Sequence, residues 1–450
     1  MASSGNSSSN SLVDGVAAAL RPVVHPGAHL VVGLSGGMDS VTLLAILADL
    51  AGVFRFSLRA LHVHHGISPN APVWAQFCRD LCRGLNVRLT VERVRVDNYR
   101  SLGVEGAARR ARYEVYAREE ADFIVLAHHR DDQAETLLLQ LLRGAGPLGM
   151  AGMPGLRPLA GSRARILRPL LGFARTDIEA WARDHGLAWI DDESNDDMAR
   201  QRNFVRHRVL PLIEERFPAA RATAARAAAH LAEAGALLGE LARLDLAMLD
   251  REKDVAVAAL RQLGPMRAKN ALRSLLQSRA IPAPTAAQLD ELYRQLVDAR
   301  EDRTVLLKIQ DWELRRYRGR IRIARVHAPL PRNFREVWTG ENRLPLLKLG
   351  GVLKFKPEDG RGLSVEQLRR AEVTVRLREG GERLRPDARR PRRALKKLMQ
   401  ERGIPPWQRA RWPVLYCGEH LVCVPGIGED CAWQAGPGEP GLILSWEPLE

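Results

Sequence analysis

The fold of this chain is decided by the segment Leu30-Val31-Val32-Gly33-Leu34-Ser35-Gly36-Gly37-Met38-Asp39-Ser40-Val41-Thr42-Leu43-Leu44. An apolar run enters a turn rich in glycine and serine, and a second apolar run leaves it. The first run is typical of a buried parallel strand, and the second is typical of the packed face of a helix. We therefore expect a strand, a loop and a helix, which form the repeating unit of a parallel α/β sheet.

The turn Ser35–Ser40 has the composition of a phosphate-binding loop. Its two adjacent glycines let the backbone turn sharply and bring N–H groups against anionic oxygens. The helix that follows points the positive end of its dipole at the same place, and the two serine hydroxyls add donors. Asp39 can reach a magnesium ion. The turn has neither the Gly-Lys-Ser/Thr ending of the Walker loop nor the spacing of the dinucleotide fingerprint, and a turn without a ligand is the alternative.

Composition sets the broad class of the protein. A chain of 450 residues predicts two or three domains, and it contains no apolar run long enough for a membrane helix. We expect the serine-rich segment Met1–Asn10 to be part of a disordered tail and not a signal peptide. Five cysteines without a Cys-x-x-Cys pair predict reduced thiols and a cytoplasmic protein.

The chain is strongly basic. Its formal net charge of +15 favours a polyanionic partner such as a nucleic acid, although arginine-rich proteomes make many enzymes basic. Aromatic residues make up only 5% of the chain, so we do not expect an extended base-stacking platform. The densest basic stretch is Arg376–Arg411, which contains Arg389–Arg393, Lys396 and Lys397. This stretch is a candidate surface for an RNA backbone, and a merely solvated surface is the alternative.

Strand and helix patterns alternate through the first third of the chain and predict a doubly wound parallel sheet. Three polar segments follow predicted strands: Ser35–Ser40, His62–Gly66 and His128–Asp132. Because the carboxyl ends of parallel strands meet at one edge of the sheet, we expect these segments to converge on one ligand site.

The composition shifts along the chain predict five segments. Residues 1–24 are expected to be a disordered tail and lead-in, and residues 25–215 a catalytic α/β domain. Residues 216–330 are rich in alanine, leucine and arginine and predict a mainly helical domain. Residues 331–372 are expected to be a linker region, and residues 373–450 a small C-terminal α+β domain.

Three carboxylates stand at the start of a predicted helix: Asp131, Asp132 and Glu135. Acidic residues are favoured at helix N-termini, which is a purely structural reason for their presence. Asp132 and Glu135 are three residues apart and share one face, so together with Asp39 they can hold Mg²⁺ on phosphates. The sequence leaves open which of Asp131 and Asp132 coordinates the metal.

Histidines and arginines are the other candidate ligand contacts. The cluster His62–His65 lacks zinc spacing, and contact with a nucleotide or an ordinary position at a strand end are its two interpretations. Arg109 and Arg112 lie three residues apart on a predicted helix face and can form a fork for phosphate oxygens. Arg202 is interpreted in the same way. A solvated basic face is the alternative for these arginines.

The loop resembles the PP-loop of the ATP pyrophosphatases, which cleave ATP between the α and β phosphates and have an adenine nucleotide α-hydrolase-like fold. Over nearly its whole length the chain resembles the bacterial tRNA(Ile)-lysidine synthase family. The matching pieces are Ser35–Ser40, Leu61–Gly66, Ala127–Glu135, Arg143-Gly144, Arg168–Leu170, Asp191–Asn195, Arg202–Phe204, Leu395–Leu398 and Gly403–Trp407.

The resemblance implies a ligase that forms a C–N bond and converts ATP to AMP and diphosphate. Its substrates would be an isoleucine tRNA with a CAU anticodon and free L-lysine. ATP would adenylate the C2 oxygen of the wobble cytidine, and the lysine ε-amine would then displace AMP. The resulting lysidine changes decoding from AUG to AUA. The helical and C-terminal domains would bind the tRNA, and a homodimer is one assembly that the sequence leaves open.

The resemblance also implies residue roles. ATP would contact Ser35, Gly36, Gly37, Met38, Asp39, Ser40, His62 and His64. Asp39 and Asp132 would hold Mg²⁺, and the remaining catalytic residues would be Arg109, Arg112 and Arg202 at the α-phosphate. Glu135 would bind or deprotonate the lysine amine. A PP-loop tRNA thiolase and a catalytically inactive tRNA-binding protein are the alternative functions.

Overall fold

The computed structural model describes residues 5–66, 68–95, 99–249, 255–299, 305–326, 329–331 and 333–448. The chain divides into two compact units, residues 1–238 and 239–450, and the boundary lies inside one long helix. The predicted domain boundary after residue 215 therefore falls within the first unit. In the described residues no helix is long and apolar enough to cross a membrane.

The first unit is built on a six-stranded sheet with the order β3-β2-β1-β4-β6-β5. All strands run parallel except β5, which pairs antiparallel with β6 at the edge. The strands are β1 (His29–Gly33), β2 (Ser57–His64), β3 (Arg88–Arg93), β4 (Phe123–Val125), β5 (Leu156–Pro158) and β6 (Arg165–Leu167). The chain winds outward from β1 to β3 and returns to pair β4 with the other side of β1, so the carboxyl ends of β1 and β4 form a topological switch point. The predicted doubly wound sheet is confirmed.

Helices connect and cover these strands. They are α1 (Gly5–Leu20), α2 (Met38–Phe54), α3 (Ala71–Gly84), α4 (Tyr99–Arg118), α5 (Arg130–Leu142), α6 (Pro147–Met150), α7 (Arg175–Asp184), α8 (Gln201–Phe204), α9 (Leu210–Glu214) and α10 (Ala220–Leu249). A π-helical turn, Val205–Val209, joins α8 to α9. The central strand β1 is apolar because both of its faces are covered, and Leu30, Val31 and Val32 are at most 1% exposed.

Helix α1 differs from the expected disordered tail. Leu12, Val16 and Leu20 recur every four residues and are buried in the main core. Gly15 lets the helix pack closely, since a Cβ there would lie 2.0 Å from the ring of Phe173. The serine-rich composition of the first residues concealed this helical spacing of apolar side chains.

The second unit begins with a small helical and β layer. Helices α11 (Val257–Ser278) and α12 (Ala286–Tyr293) pack on a sheet with the order β7-β10-β9-β8. Its strands are β7 (Val255–Ala256), β8 (Val305–Ile309), β9 (Trp312–Tyr317) and β10 (Arg320–Arg325). Helices therefore make up only part of the segment 216–330, because alternating apolar residues after residue 304 form antiparallel strands.

The rest of the second unit consists mainly of antiparallel sheets, as the predicted α+β domain requires. Their orders are β11-β15-β18-β19-β20 and β12-β13-β21-β14, with a separate hairpin β16-β17. The strands are β11 (Arg335–Val337), β12 (Arg343–Leu346), β13 (Gly351–Pro357), β14 (Leu363–Ser364), β15 (Val373–Arg376), β16 (Arg383–Leu384), β17 (Arg393–Ala394), β18 (Val414–Cys417), β19 (His420–Val424), β20 (Gly428–Glu429) and β21 (Gly441–Pro448). The short helices are α13 (Val365–Leu368), α14 (Leu395–Glu401) and α15 (Pro406–Arg409).

The segment 331–372 also differs from the expected linker. Strand β13 pairs along its whole length with β21 near the C-terminus, and its Leu353 and Phe355 are buried. Polar residues and prolines between these apolar positions gave the segment the composition of a linker. In β13, alternate side chains nevertheless enter the core, as in a strand with one buried face.

Candidate functional site

One pocket in the first unit lies at the carboxyl ends of β1, β2 and β4 and is lined by residues of all three predicted polar segments. Most of the predicted site residues line it: Ser35, Gly37, Met38, Asp39, Ser40, His62, His64, Arg109, Arg112, Asp132 and Arg202. Gly36 and Glu135 are buried and are not among the residues that line it. The convergence follows from the parallel topology, whereas the roles of these residues stay predictions.

The loop between β1 and α2 is shaped by its own serines. The Oγ atoms of Ser35 and Ser40 lie 3.0 Å apart, and the backbone N–H of Gly37 donates to Ser35 Oγ at 3.2 Å. Helix α2 begins at Met38, and Met38, Asp39 and Ser40 of its first turn line the pocket that the loop borders. The hydroxyls that we expected to bind phosphate are thus also the groups that hold the loop in place.

Position 36 requires glycine for two reasons: the backbone conformation and the closeness of a neighbouring side chain. Its φ is +93°, and a Cβ there would lie 2.7 Å from Cδ1 of Ile190. The backbone N–H of Ile190 donates to the carbonyl of Gly36 at 2.9 Å. This contact anchors the acidic segment that begins at Asp191 directly beside the loop.

Two carboxylates of the pocket share one histidine. His129 Nε2 lies 3.7 Å from Asp39 Oδ2 and 3.5 Å from Asp132 Oδ2. Burial lowers the pKa of His129, but the nearby Asp39 and Asp132 carboxylates outweigh burial and raise it overall. Burial likewise raises the pKa of Asp132, but His129 and Arg202 reverse the shift and lower it to about 2.

The two carboxylates differ in what their oxygens contact. Asp132 Oδ1 accepts hydrogen bonds from Arg202 at 2.8 Å and Arg206 at 3.1 Å, and its Oδ2 accepts the backbone N–H of His129 at 3.0 Å. Asp39 Oδ1 is buried and has no hydrogen-bond partner. A buried oxygen without a partner is costly, so this oxygen is a candidate ligand for a cation.

Glu135 holds two arginines and has no exposed surface. Its Oε2 accepts from Arg202 Nε at 2.7 Å, and its Oε1 accepts from Arg206 Nε at 2.5 Å. Both oxygens are therefore occupied by guanidinium groups. The expectation that Glu135 binds or deprotonates an amine stays a prediction; in this geometry the carboxylate contacts two arginines.

Asp131 and Asp132 differ in their surroundings, whereas which of them binds a metal stays a prediction. Asp132 lines the pocket. Asp131 Oδ2 instead accepts the backbone N–H of Arg175 at 3.3 Å and lies 4.0 Å from Arg221. Of the two, only Asp132 faces the site.

Arg109 and Arg112 project from α4 and line the pocket. Arg109 donates to the Tyr113 hydroxyl at 3.2 Å, and Arg112 Nε donates to His65 Nε2 at 3.4 Å. Among the described side chains, no carboxylate lies within ion-pair distance of either guanidinium. Their charge is therefore not compensated within the described part of the protein.

The histidines at the end of β2 differ in their contacts. His62 is buried, and its Nδ1 donates to the carbonyl of Leu34 at 2.9 Å, which leaves Nε2 as an acceptor. His64 Nε2 is buried without a hydrogen-bond partner. Burial and the charge of Arg112 lower the pKa of His65 to about 4, so this ring is neutral at physiological pH.

The sequence analysis missed several residues of the site. Arg206 contacts the same two carboxylates as Arg202, and its position four residues later on a helix was the available signal. His128 lines the pocket but was named only as part of a segment. Arg175 and Arg200 also line it, and nothing in the local sequence distinguishes them from other surface arginines.

Comparison with known proteins decides the family. Residues 11–213 match the family described as PP-loop domain, residues 256–322 the TilS substrate binding domain, and residues 373–446 the TilS substrate C-terminal domain. The tRNA(Ile)-lysidine synthase of Nitrosomonas europaea is 43% identical over 433 residues, which cover 96% of this chain and 94% of the relative. This chain belongs to the tRNA(Ile)-lysidine synthase family. The synthase of Alkalilimnicola ehrlichii is 39% identical, and the alignment covers 92% of this chain and 93% of that relative.

One solved structure aligns more weakly with this chain. The U34-tRNA thiolase of Methanococcus maripaludis, determined with its [4Fe-4S] cluster, aligns at a TM-score of 0.43 and 18% identity. The alignment covers 50% of this chain and 78% of the thiolase.

Proposed function

We propose that this protein joins L-lysine to C2 of the wobble cytidine in an isoleucine tRNA with a CAU anticodon. The observation that carries the proposal is a PP-loop pocket with an unsatisfied Asp39 oxygen and two arginines that have no carboxylate partner. Membership of the lysidine synthase family supplies the tRNA substrate and the class of reaction. A cytoplasmic location follows from this substrate.

The first step is transfer of AMP to the tRNA. The C2 oxygen of the cytidine attacks the α-phosphorus of ATP, and pyrophosphate leaves toward the amides of the Ser35–Ser40 loop and the first turn of α2. Arg109 and Arg112 stabilise the negative charge that develops at the α-phosphate, because their present partners are neutral and leave that charge available.

The pocket residues fit a magnesium ion in part. Mg²⁺ prefers oxygen ligands and is usually bound by one or two carboxylates together with substrate phosphates, where it neutralises phosphate charge. Asp39 offers a free oxygen, whereas the oxygens of Asp132 already accept hydrogen bonds from arginines and a backbone amide. We therefore assign Asp39 as the main protein ligand and Asp132 as the group that orients His129 and the arginines. Among the described residues, no group of three or more side chains is arranged to hold a metal by itself.

The second step is attack of the lysine ε-amine on C2. The amine forms the new C–N bond and gives up a proton to water, and the bond between C2 and its oxygen breaks so that this oxygen departs with AMP. Arg202 and Arg206 line the pocket and are held in place by Asp132 and Glu135. Because these carboxylates balance their charge, we assign Arg202 and Arg206 to shaping the pocket around the leaving phosphate.

The thiolase alternative is not favoured. Persulfide transfer needs an accessible thiolate. Cys78 and Cys82 are at most 1% exposed, and burial raises the pKa of Cys78 to about 12 and that of Cys82 to about 11. Both thiols stay protonated at neutral pH.

Mass spectrometry of nucleosides tests the proposed function. Isoleucine tRNA transcripts would be incubated with the protein, ATP and isotopically labelled lysine, with elongator methionine tRNA as the control. We expect a labelled lysine–cytidine conjugate in the isoleucine tRNA alone. A thiolated nucleoside, or unmodified cytidine in the presence of all substrates, would overturn the assignment.

A further inference from the structure

His128 follows β4 and lines the pocket one strand away from the phosphate-binding loop. Its Nδ1 lies 3.1 Å from Nε of Arg168, a side chain in a residue that is only 3% exposed. A guanidinium group has N–H donors and no acceptor, so His128 Nδ1 must be the acceptor. An imidazole that accepts at Nδ1 is neutral and carries its proton on Nε2.

Arg168 is held rigidly enough to impose this arrangement. Its guanidinium donates to the carbonyl of Pro154 at 2.7 Å, and its backbone N–H donates to the carbonyl of Gly155 at 2.8 Å. The neighbouring Met153 is in turn clamped by two hydrogen bonds to the side chain of Gln133. The end of the glycine-rich segment before β5 therefore holds Arg168 in place by hydrogen bonds.

The charges around His128 favour the same neutral form. Burial lowers the pKa of His128 to about 3, opposed by Asp132 of α5. Arg168 after β6, Arg202 of α8 and Arg109 of α4 lower the pKa further, because a second positive charge among arginines is unfavourable.

We propose that Arg168 is a positioning residue that locks His128 in the Nε2–H tautomer, so that His128 presents a fixed neutral donor to a phosphoryl oxygen of ATP. A neutral donor adds a hydrogen bond without placing another charge beside the arginines. The identity of the acceptor rests on the proposed function, whereas the tautomer rests only on the contact between Arg168 and His128.

Nitrogen NMR of the full chain with ¹⁵N-labelled histidine tests the proposal. The His128 signals are assigned by their loss in His128→Gln. In the wild type we expect Nδ1 to be unprotonated and Nε2 protonated throughout pH 5 to 8. Arg168→Met removes the donor, so His128 should populate both tautomers and titrate nearer the ordinary value of about 6.5. Arg168→Lys retains one donor and should restore the Nε2–H form, and Arg165→Met alters an exposed arginine three residues earlier as the control.

Activity provides a second readout. Arg168→Met should reduce the turnover number for AMP formation about tenfold, with partial recovery in Arg168→Lys. A protonated Nδ1 in the wild type, or an unchanged His128 spectrum in Arg168→Met, would overturn the proposal. If Arg168→Met does not fold, the wild-type spectrum alone decides. A protein that shows the expected tautomer but makes no lysidine would contradict the proposed function and leave the positioning role of Arg168 intact.

Discussion

Two pairs of arginines line the same pocket, and they differ in charge compensation. The compensated pair, Arg202 and Arg206, contacts the carboxylates of Asp132 and Glu135. The uncompensated pair, Arg109 and Arg112, contacts the neutral Tyr113 hydroxyl and the neutral His65 ring. Two positive and two negative charges balance in the first pair, whereas the second pair leaves its charge for a ligand.

The compensated pair therefore mainly stabilises the folded site, whereas the uncompensated pair is available to act on a substrate. A buried ion pair costs desolvation, and removing one partner strands the other charge. Removing an uncompensated cation leaves no buried charge without a partner and abolishes only what the cation does for a substrate. We therefore expect opposite patterns of stability and activity when each pair is disrupted.

The largest expected effect comes from a comparison of two carboxylates: Asp39, which has an oxygen without a hydrogen-bond partner, and Asp132, which is paired with arginines. Asp39→Asn removes the charge of an oxygen that has no partner, so we expect turnover to fall about 10³-fold, about 4 kcal/mol, with little change in Tm. Asp132→Asn should instead lower Tm, because Arg202 and Arg206 lose their acceptor. Pyrophosphate release and thermal unfolding measure the two effects. Normal turnover in Asp39→Asn would remove Asp39 from the mechanism.

Disruption of the compensated pair should be the next largest effect. Glu135→Gln leaves two guanidinium groups without their main anion, and we expect a loss of about 3 kcal/mol, roughly 10 °C in Tm for a unit of this size. Glu179→Gln is the matched control, because its partner Arg183 is exposed and the pair should contribute less than about 0.5 kcal/mol. Equal shifts in Tm for the two variants would show that the buried cluster has no special role in stability.

The uncompensated pair should behave in the opposite way. In Arg109→Met with Arg112→Met we expect AMP formation to fall about 100-fold, the order found when a charge-stabilising donor is lost. The Tm should stay close to the wild-type value, since no carboxylate among the described side chains loses a partner. Arg110→Met is the control, because Arg110 lies on the same helix and pairs with Glu114 at 3.0 Å. A large fall in Tm for the double variant would contradict the comparison.

The smallest expected effect concerns the C-terminal domain, where paired and unpaired cations both occur within the basic stretch Arg376–Arg411. Exposed side chains without a carboxylate partner among the described residues are Arg389, Lys396 and Lys397. Their neighbours are paired: Arg390 with Asp387, Arg392 with Asp430 and Arg393 with Glu401. Free cations displace counterions from a tRNA backbone more effectively than paired ones.

Changing the three unpaired residues to glutamine should weaken tRNA binding about tenfold and make its salt dependence shallower by about two in logarithmic slope. Changing the three paired arginines to glutamine should alter the slope less. Affinity measured over a range of salt concentrations distinguishes the two triple variants. A slope equal to that of the wild type in both variants would reject this stretch as the tRNA contact.

The sequence predicts the parts of the fold and site that depend on local pattern. The turn Ser35–Ser40 is recognisable because its flanking apolar runs specify a strand and a helix. The convergence of His62–Gly66 and His128–Asp132 on that turn follows from parallel topology. The apolar spacing in α1 and in β12 and β13 was also present in the sequence, but serine, proline and charged neighbours outweighed it.

Contacts between distant residues account for what could not be predicted. Glu135 looks like a free acid in sequence, and only the approach of Arg202 and Arg206 from about 70 residues later shows that its oxygens are occupied. Arg168 lies 40 residues from His128, and no local pattern connects them. Such pairings are made by the packing of α8 and β6 around α5 and β4.

The most direct test of the central claim follows one oxygen atom. Isoleucine tRNA with ¹⁸O at C2 of the wobble cytidine would be incubated with ATP, lysine and the protein, and the released AMP analysed by mass spectrometry. We expect one ¹⁸O in each AMP, because the C2 oxygen attacks the α-phosphate and leaves with it. Unlabelled AMP, or formation of ADP and orthophosphate, would contradict the adenylation mechanism.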